Sequence, residues 1–326
     1  MKRSIEGFLA ACSGLGLALT LLLCGASAAF AADSLKVTIG QKGFWNSTFI
    51  EFAEQQGFFR DEGLDVEAIF TDGGATTMQP VIAGSVDLGL TNGTLGVIGA
   101  YVKGAPIRVI SAESTGASDA FWYARADSGL KSLKDAKGKT IGFSSPGSST
   151  NLILLALLKQ YGVDAKPLPT GGATATMTQV MTGQVDVGWS VPPLALADID
   201  AGKLVIVARG SEVEALRDET VRVNIASVDA LKTKRDAIVR FTRAYKRAID
   251  WAYADPRAID IFAANIKVPR PIAQRAVDEF YPRAMFQMGE IRGLDKSLRE
   301  AYETKRIPSP MTPDQVSGML DIVAQP

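Results

Sequence analysis

The chain contains a duplicated segment. The tetrapeptide Gly-Gly-Ala-Thr at 73–76 returns at 171–174, and the pattern Gly-x-Val-Asp-x-Gly at 84–89 returns at 183–188. The aspartates of the second pattern, Asp87 and Asp186, are 186 − 87 = 99 residues apart. Each copy covers about 55 residues, which is too long for a solenoid unit and suits a β-α-β-α-β lobe. The repeat therefore predicts two related α/β lobes.

Within each copy, short runs of β-branched residues alternate with helical stretches that stop at a glycine. The predicted strands are 35–39, 66–70, 86–90, 140–143, 165–168 and 185–189, and the predicted helices are 48–56, 75–83, 94–103, 148–161, 173–182 and 192–201. A capping box from Thr48 to Glu51 is expected to open the first helix. This alternation predicts parallel sheets with crossover helices.

The part of the chain from Ser227 onwards is predicted to be mostly helical. Ile238, Phe241 and Tyr245 begin an apolar face at helical spacing, and seven basic residues between 232 and 247 belong to the same helix. We expect the basic side to be a solvated outer face, with a membrane or partner surface as the alternative. A capping box that begins with a threonine at 312 is expected to open the last helix.

The first residues have the features of a secretory signal peptide. Two basic residues precede an apolar run at 8–23, and Ala-Phe-Ala at 29–31 forms a cleavage pattern. The apolar run of about 16 residues is shorter than the roughly 20 that a membrane helix needs. Cys24 is not expected to carry a lipid, because Leu23 precedes it where a small residue is required. We expect cleavage near Ala31 and a periplasmic protein.

The amino-acid composition excludes most classes of catalytic site. The chain has no histidine, and both of its cysteines, Cys12 and Cys24, lie in the predicted signal peptide. The rest of the chain therefore has no disulfide, no thiolate or imidazole metal site, no Ser-His-Asp triad and no cysteine nucleophile. Without the signal peptide the charges are 35 − 2 = 33 basic and 35 − 1 = 34 acidic, which argues against a nucleic-acid partner. We expect no cofactor and no metal.

Ligands of open parallel sheets bind beyond the carboxyl ends of the strands. This rule selects six loops that are rich in Gly, Ser, Thr and Asn, at 41–48, 71–76, 91–94, 144–151, 170–174 and 190–193. Uncharged donors beside aromatic rings are typical of a selective small-molecule site. The hydroxyls and free amides of the loop at 144–151 precede a helix and suit an anion, although the same residues are ordinary helix caps.

The candidate ligand-binding residues are the polar side chains of these loops and three tryptophans. Burial of about 100 Å² against one indole ring contributes roughly 2.5 kcal/mol, so we expect a ligand with an anionic head and an organic body. A core position is the alternative for each tryptophan, and Lys42 is the best-placed single charge. The set is Lys42, Trp45, Asn46, Thr48, Thr76, Asn92, Thr94, Trp122, Ser148, Ser149, Thr150, Thr174 and Trp189.

Several motifs, spread over about 35–254, closely resemble the solute-binding proteins of ABC importers for aliphatic sulfonates, taurine, nitrate and thiamine precursors. The motifs are Gln-Lys-Gly at 41–43, the segments 54–66, 84–89 and 132–139, and Ser-Ser-Thr at 148–150. The resemblance implies a type II periplasmic binding protein fold, with two α/β lobes, two hinge crossings and a central cleft. We expect lobe 1 at 32–112 plus 222–326 and lobe 2 at 113–221.

The cleft positions of that family carry over to seven of the candidate residues. They are Lys42, Trp45, Asn46, Ser148, Ser149, Thr150 and Trp189. The chain departs from the family pattern at Val191, which precedes Pro192 where an acidic residue often stands, and at Ala136, which replaces a leucine. The first departure leaves open which residue is the polar partner of the ligand on that side.

Two functions follow as hypotheses. The first is a monomeric receptor that captures a small organic anion, sulfonate-like, in the periplasm and delivers it to the permease of an ABC importer. The alternative is an enzyme on the same fold, either of the pyrimidine-precursor type, which as a family relies on histidine, or a lyase that uses carboxylates alone. Asp72, Asp87, Asp186 and Glu113 lie near predicted strand ends. The equivalent places of Asp87 and Asp186 in the repeat favour a structural role for that pair.

Overall fold

The computed structural model describes residues 32–323. The predicted signal peptide, with its cleavage site and Cys24, lies outside the described residues. The strands are β1 (Asp33–Ile39), β2 (Leu64–Phe70), β3 (Leu88–Gly93), β4 (Ile107–Thr115), β5 (Phe121–Arg125), β6 (Thr140–Phe143), β7 (Lys166–Pro169), β8 (Val187–Ser190), β9 (Leu204–Arg209) and β10 (Thr220–Ser227).

The helices connect these strands and fill the C-terminal third. They are α1 (Trp45–Gln55), α2 (Phe58–Asp61), α3 (Ala75–Ile82), α4 (Thr94–Val102), α5 (Ser149–Tyr161), α6 (Ala173–Met181), α7 (Leu196–Asp200), α8 (Val228–Thr233), α9 (Arg235–Ala254), α10 (Arg257–Ile266), α11 (Arg270–Phe280), α12 (Leu294–Glu303) and α13 (Pro313–Met319). Among residues 32–323, no helix has both the length and the hydropathy to cross a membrane.

The two sheets have the same topology. The first has the order β2-β1-β3-β10-β4 and the second the order β7-β6-β8-β5-β9. Position by position, each strand of the first sheet has a counterpart in the second, and β3 and β8 begin at the ends of the two copies of the Gly-x-Val-Asp-x-Gly pattern. The mixed α/β class and the two-lobed architecture predicted from the repeat are confirmed.

The sheets are mixed rather than parallel, which corrects the sequence-based prediction. β1 pairs in parallel with β2 and β3, and β6 with β7 and β8. In contrast, β10 is antiparallel to β3 and β4, and β5 is antiparallel to β8 and β9. β5 and β10 each follow a crossing from the other sheet. Each therefore starts at the edge where the parallel strands end, and runs back.

The chain crosses between the sheets twice, at 116–120 and at 210–219. Residues 113–115 still belong to β4 and residues 220–221 to β10, so both expected boundaries fall inside strands. We propose that the lobes divide at the crossings. Lobe 1 is then the first sheet with α1–α4 and α8–α13, and lobe 2 is the second sheet with α5–α7.

Two helix starts differ from prediction. α1 begins at Trp45, three residues before the proposed cap, because the Ser47 hydroxyl bonds the backbone at the helix entrance while the Thr48 hydroxyl donates back to the Phe44 carbonyl at 2.8 Å. α7 begins at Leu196 rather than at 192, because Ala195 has a left-handed conformation with φ 73°. The predicted Thr312 cap is present, since its hydroxyl accepts the Gln315 N–H.

The long helix α9 packs its apolar face into the core of lobe 1. Its apolar face, which includes Phe241 and Tyr245, is buried. Its basic side chains meet acidic groups: Arg243 pairs with Glu62 at 3.1 Å, and Arg247 with Asp61 at 3.1 Å. The basic side is therefore largely neutralised by the surface of lobe 1 itself.

Candidate functional site

A cavity lies between the two sheets, where β1, β3, β6 and β8 end. It contains about 550 Å³ of empty space, including its open mouth. Its wall is formed by Gly40, Gln41, Phe44, Asn46, Ser47, Asp72, Gly73, Gly74, Thr91, Gly93, Asp119, Ser144, Ser148, Ser149, Thr150, Trp189, Val191 and Arg222. Five of the six predicted loops contribute to this wall. The sixth, at 170–174, contacts Gln41 instead.

The start of α5 supplies buried hydroxyls to the cavity. Ser148 caps the helix by accepting the Asn151 N–H at 3.2 Å, and its hydroxyl lies 3.0 Å from that of Thr150. The Thr150 hydroxyl also accepts the Ser144 N–H at 2.9 Å. The two sequence-based alternatives for this loop therefore coexist, because the residues that cap the helix also line the cavity.

Trp189 and Asn46 also line the cavity. Asn46 is buried and donates from Nδ2 to Glu113 Oε1 at 3.3 Å. Trp189, at the end of β8, is 4% exposed, and its Nε1 has no hydrogen-bond partner within residues 32–323. Burial raises the pKa of Glu113, and the neighbouring Arg222 and the hydrogen bonds from Ser114 and Asn46 oppose that rise only in part.

Arg222 is the buried cation of the site, and sequence analysis missed it. Its Nη1 lies 2.8 Å from Asp119 Oδ2 and 3.2 Å from the Ser114 hydroxyl, and its Nε donates to the Ser149 hydroxyl at 2.9 Å. Burial alone would lower the pKa of Arg222, but Asp119 and Glu113 raise it above its ordinary value. A signal was present, because an arginine between the two valines of a buried strand is unusual.

The predicted charge Lys42 lies outside the cavity wall. Its side chain is 60% exposed, and its Nζ pairs with Glu51 at 3.0 Å, because the start of α1 directs it along the outer surface. Lys42 therefore lies outside the cavity wall, and its role as an anion partner stays a prediction. The basic residue in the wall is Arg222, which is far from Lys42 in the sequence.

The other candidates outside the wall, apart from Asn92, have structural partners. Trp45 is fully buried among rings that include Phe49 and Phe262, and Trp122 lies inside β5 and donates from Nε1 to the Gly142 carbonyl at 3.0 Å. For both tryptophans the core alternative is the one observed. Four threonine candidates are held by hydrogen bonds, Thr48 to Phe44, Thr76 to Gly73, Thr94 to Thr220 and Thr174 to Gln41. Asn92 is buried between two wall residues, and neither polar atom of its side chain has a hydrogen-bond partner within residues 32–323.

The two lobes contact each other across the cleft. Gln41 Nε2 donates to the Thr174 hydroxyl at 3.0 Å, and the Gly96 N–H donates to the Gly147 carbonyl at 3.0 Å. Gly93 also faces lobe 2, since a Cβ there would lie 2.7 Å from the Gly147 oxygen. The structure therefore shows the lobes in a closed arrangement.

Matching α/β lobes joined by two crossings, with a polar cavity at their facing strand ends, define the periplasmic binding protein class of fold. The chain belongs to the NMT1/THI5-like family, whose family model matches residues 45–259. This confirms the resemblance recognised in the sequence.

Comparison with individual proteins agrees with this assignment. The alkanesulfonate-binding protein SsuA from Xanthomonas axonopodis pv. citri, bound to MOPS, superposes with a TM-score of 0.74 at 19% identity over 89% of this chain and 98% of that chain. A protein of Brucella abortus (strain 2308) to which a binding role is attributed is 25% identical over 258 residues, 78% of this chain and 79% of the relative. A 4-amino-5-hydroxymethyl-2-methylpyrimidine phosphate synthase of Saccharomyces cerevisiae is 20% identical over 218 residues, 64% of this chain and 63% of that protein. At such identities the structural likeness shows the fold alone.

Proposed function

We propose that this chain is an exported receptor that captures a small organic solute, closes its lobes around it and delivers it as a monomer to the permease of an ABC importer. The observation that carries the proposal is the shared cavity. Asn46 and Arg222 come from lobe 1, whereas Ser149 and Trp189 come from lobe 2. Neither lobe forms the site alone.

Closure couples binding to a conformational change. A solute that contacts both lobes binds the closed form more tightly than the open one, and so shifts the hinge equilibrium towards closure. For a dissociation constant of 1 μM the net free energy of binding is about 8 kcal/mol. A permease that contacts both lobes would then distinguish loaded from empty receptor.

The preferred solute class is a small organic acid with a sulfonate-like headgroup. The hydroxyls at the start of α5 and the guanidinium of Arg222 favour such a group, and the Trp189 ring suits an organic body. With Lys42 turned towards Glu51, an acidic headgroup depends on α5 and Arg222 for its recognition.

An enzyme on the same fold is the second candidate, because the chain is similar to the yeast synthase. The carboxylates at or behind the cavity are Asp72, Asp119 and Glu113, and the chain offers no histidine to work with them. These carboxylates do not supply the histidine on which the pyrimidine-precursor enzymes of the family rely. We therefore favour the receptor.

The test is titration of the protein purified from its own periplasm with sulfonates and carboxylates. We expect a change in tryptophan emission and a smaller radius of gyration with at least one compound. Trp189→Phe is the matched control, because it should remove most of the emission change while compaction remains. Absence of compaction with every compound would contradict the receptor function. A product detected by mass spectrometry after prolonged incubation would support the enzyme instead.

A further inference from the structure

We propose that the solute carries a hydrogen-bond donor, such as an ammonium, amino or ring N–H group, and presents it to the Asp119 carboxylate in the cavity wall. The inference rests on the proposed receptor function and narrows its solute class. A simple anion without a donor is then a poor ligand. Asp119 becomes a residue that determines specificity.

The first observation is an unpaired carboxylate oxygen. Asp119 lines the cavity and is 1% exposed. Its Oδ2 lies 2.8 Å from Arg222 Nη1, whereas its Oδ1 is buried and has no hydrogen-bond partner within residues 32–323. Buried polar atoms in native proteins are nearly always paired, and an unpaired charged acceptor is especially costly. A donor on the solute would satisfy Asp119 Oδ1.

The second observation is the charge of the wall. Its formally charged residues are Asp72, Asp119 and Arg222, so the sum is 1 − 2 = −1. Arg222 is already engaged by Asp119 and by the hydroxyls of Ser149 and Ser114. Because Asp119 offsets part of the charge of Arg222, a solute with only negative groups would gain less from the wall than a solute that also carries a donor. A donor group, above all a cationic one, would compensate the net negative charge of the wall.

The third observation is an unpaired donor in the other lobe. Trp189 Nε1 is buried without a partner in the described part of the chain. The wall therefore offers a buried unpaired acceptor, Asp119 Oδ1 at the first crossing, and a buried unpaired donor, Trp189 Nε1 at the end of β8. The matching solute has a donor at one place and an acceptor at another. An acidic headgroup with an amine, or a heterocycle with an exocyclic amino group, has this pattern.

Matched pairs of compounds test the inference on the unaltered protein. Calorimetric titration compares 2-aminoethanesulfonate with ethanesulfonate, 3-aminopropanoate with propanoate, and 4-aminopyrimidine with pyrimidine. In any pair that binds, the amino compound should bind roughly 10- to 100-fold more tightly, as expected for a hydrogen bond to a charged group. If the compound without the donor binds equally well or better, the inference is wrong while the receptor function stands.

Variants distinguish a direct hydrogen bond between the solute and Asp119 from a general effect of charge on affinity. Asp119→Asn should lower the affinity for the amino compound by roughly 10-fold or more, and should leave the affinity for the compound without the amino group unchanged or higher. A purely structural role of Asp119 would weaken both members equally, and that result would overturn the inference. Asp65→Asn makes the same charge change at an exposed position outside the wall, and we expect it to leave the binding of both members unchanged.

The molecule that co-purifies with the protein provides a measurement independent of the panel. Denaturation and mass spectrometry should release a compound that contains an N–H donor. A released compound with no N–H or O–H donor would overturn the inference. If no compound is released and no panel member binds or compacts the protein, the receptor function itself fails, and the inference fails with it.

Discussion

Gln41, after β1, and Thr174, at the start of α6, are joined across the cleft by a hydrogen bond of 3.0 Å although 133 residues separate them. The amide oxygen of Gln41 also accepts the Ala173 N–H at 3.0 Å. One side chain of lobe 1 therefore makes two hydrogen bonds to the same helix start of lobe 2. Separation of the lobes would break both contacts.

Replacement of this side chain should weaken closure without affecting folding. Gln41→Ala removes both hydrogen bonds, which contribute about 1–2 kcal/mol together, so solute affinity should fall roughly 5- to 30-fold. Calorimetric titration measures this, and the urea midpoint of the solute-free protein should change little. Gln55→Ala, at an exposed position of α1, is the matched control. Equal affinities of the two variants would contradict a role for Gln41 in closure.

The close approach of the lobes at Gly93 gives a steric prediction. A Cβ at Gly93 would lie 2.7 Å from the Gly147 carbonyl oxygen and 2.8 Å from the Ser149 nitrogen, both in lobe 2. Gly93→Ala should therefore hold the lobes apart, lower solute affinity at least 10-fold and abolish the solute-induced decrease in radius of gyration. Gly99→Ala is the control, because its Cβ would meet only an ordinary contact at 3.4 Å. Normal compaction of Gly93→Ala in scattering experiments would show that this approach does not limit closure.

Glu113 gives a prediction for the pH dependence of stability. Burial raises its pKa above the ordinary value of 4.5, so folding favours the protonated form. Its contribution to stability is fully present below pH 4.5 and is lost as the pH rises through the pKa of the folded state. Glu113→Gln should remove this loss, so the urea midpoint of the variant should fall less than that of the wild type as the pH rises above 4.5. Glu67→Gln, at an exposed site, should leave the profile unchanged. A wild-type profile that Glu113→Gln does not alter would be the contrary result.

The repeated aspartates have equivalent contacts in the two sheets. Asp87 Oδ2 accepts the Lys36 N–H at 2.9 Å, and Asp186 Oδ2 accepts the Thr140 N–H at 2.8 Å. Burial alone would raise the pKa of Asp186, but the hydrogen bonds from Thr140 and Lys139 lower it overall. Asp87 thus ties the start of β3 to β1, and Asp186 ties the start of β8 to β6.

Removal of either aspartate should therefore cost stability and spare binding. We expect Asp87→Ala and Asp186→Ala each to lower the free energy of unfolding by about 1–3 kcal/mol. Urea unfolding measures this, with Asp65→Ala at an exposed position as the control. The refolded variants should keep wild-type solute affinity. Loss of affinity with unchanged stability would indicate that these residues bind the solute and do not have a structural role.

Sequence patterns were reliable where structure depends on neighbours along the chain. Local periodicity and capping predict the glycine-terminated helices, the equivalent strands β3 and β8, and the serine-rich start of α5. The predicted loops were mostly those that form the cavity, because the carboxyl ends of parallel strands meet at one sheet edge. The same reasoning did not predict that Lys42 pairs with Glu51 outside the cavity wall, since its position in a loop does not determine the direction of a long side chain.

The sequence by itself determined two copies of one α/β lobe, the edge of each sheet that faces the cavity, and the lack of histidine. Only the tertiary structure decided which side chains share the cavity. Asp119 and Arg222 are 222 − 119 = 103 residues apart, and they meet because each lies at or next to a crossing between the lobes. Local patterns record periodicity and caps, whereas the contacts at the hinge depend on how the two lobes are oriented by the whole fold.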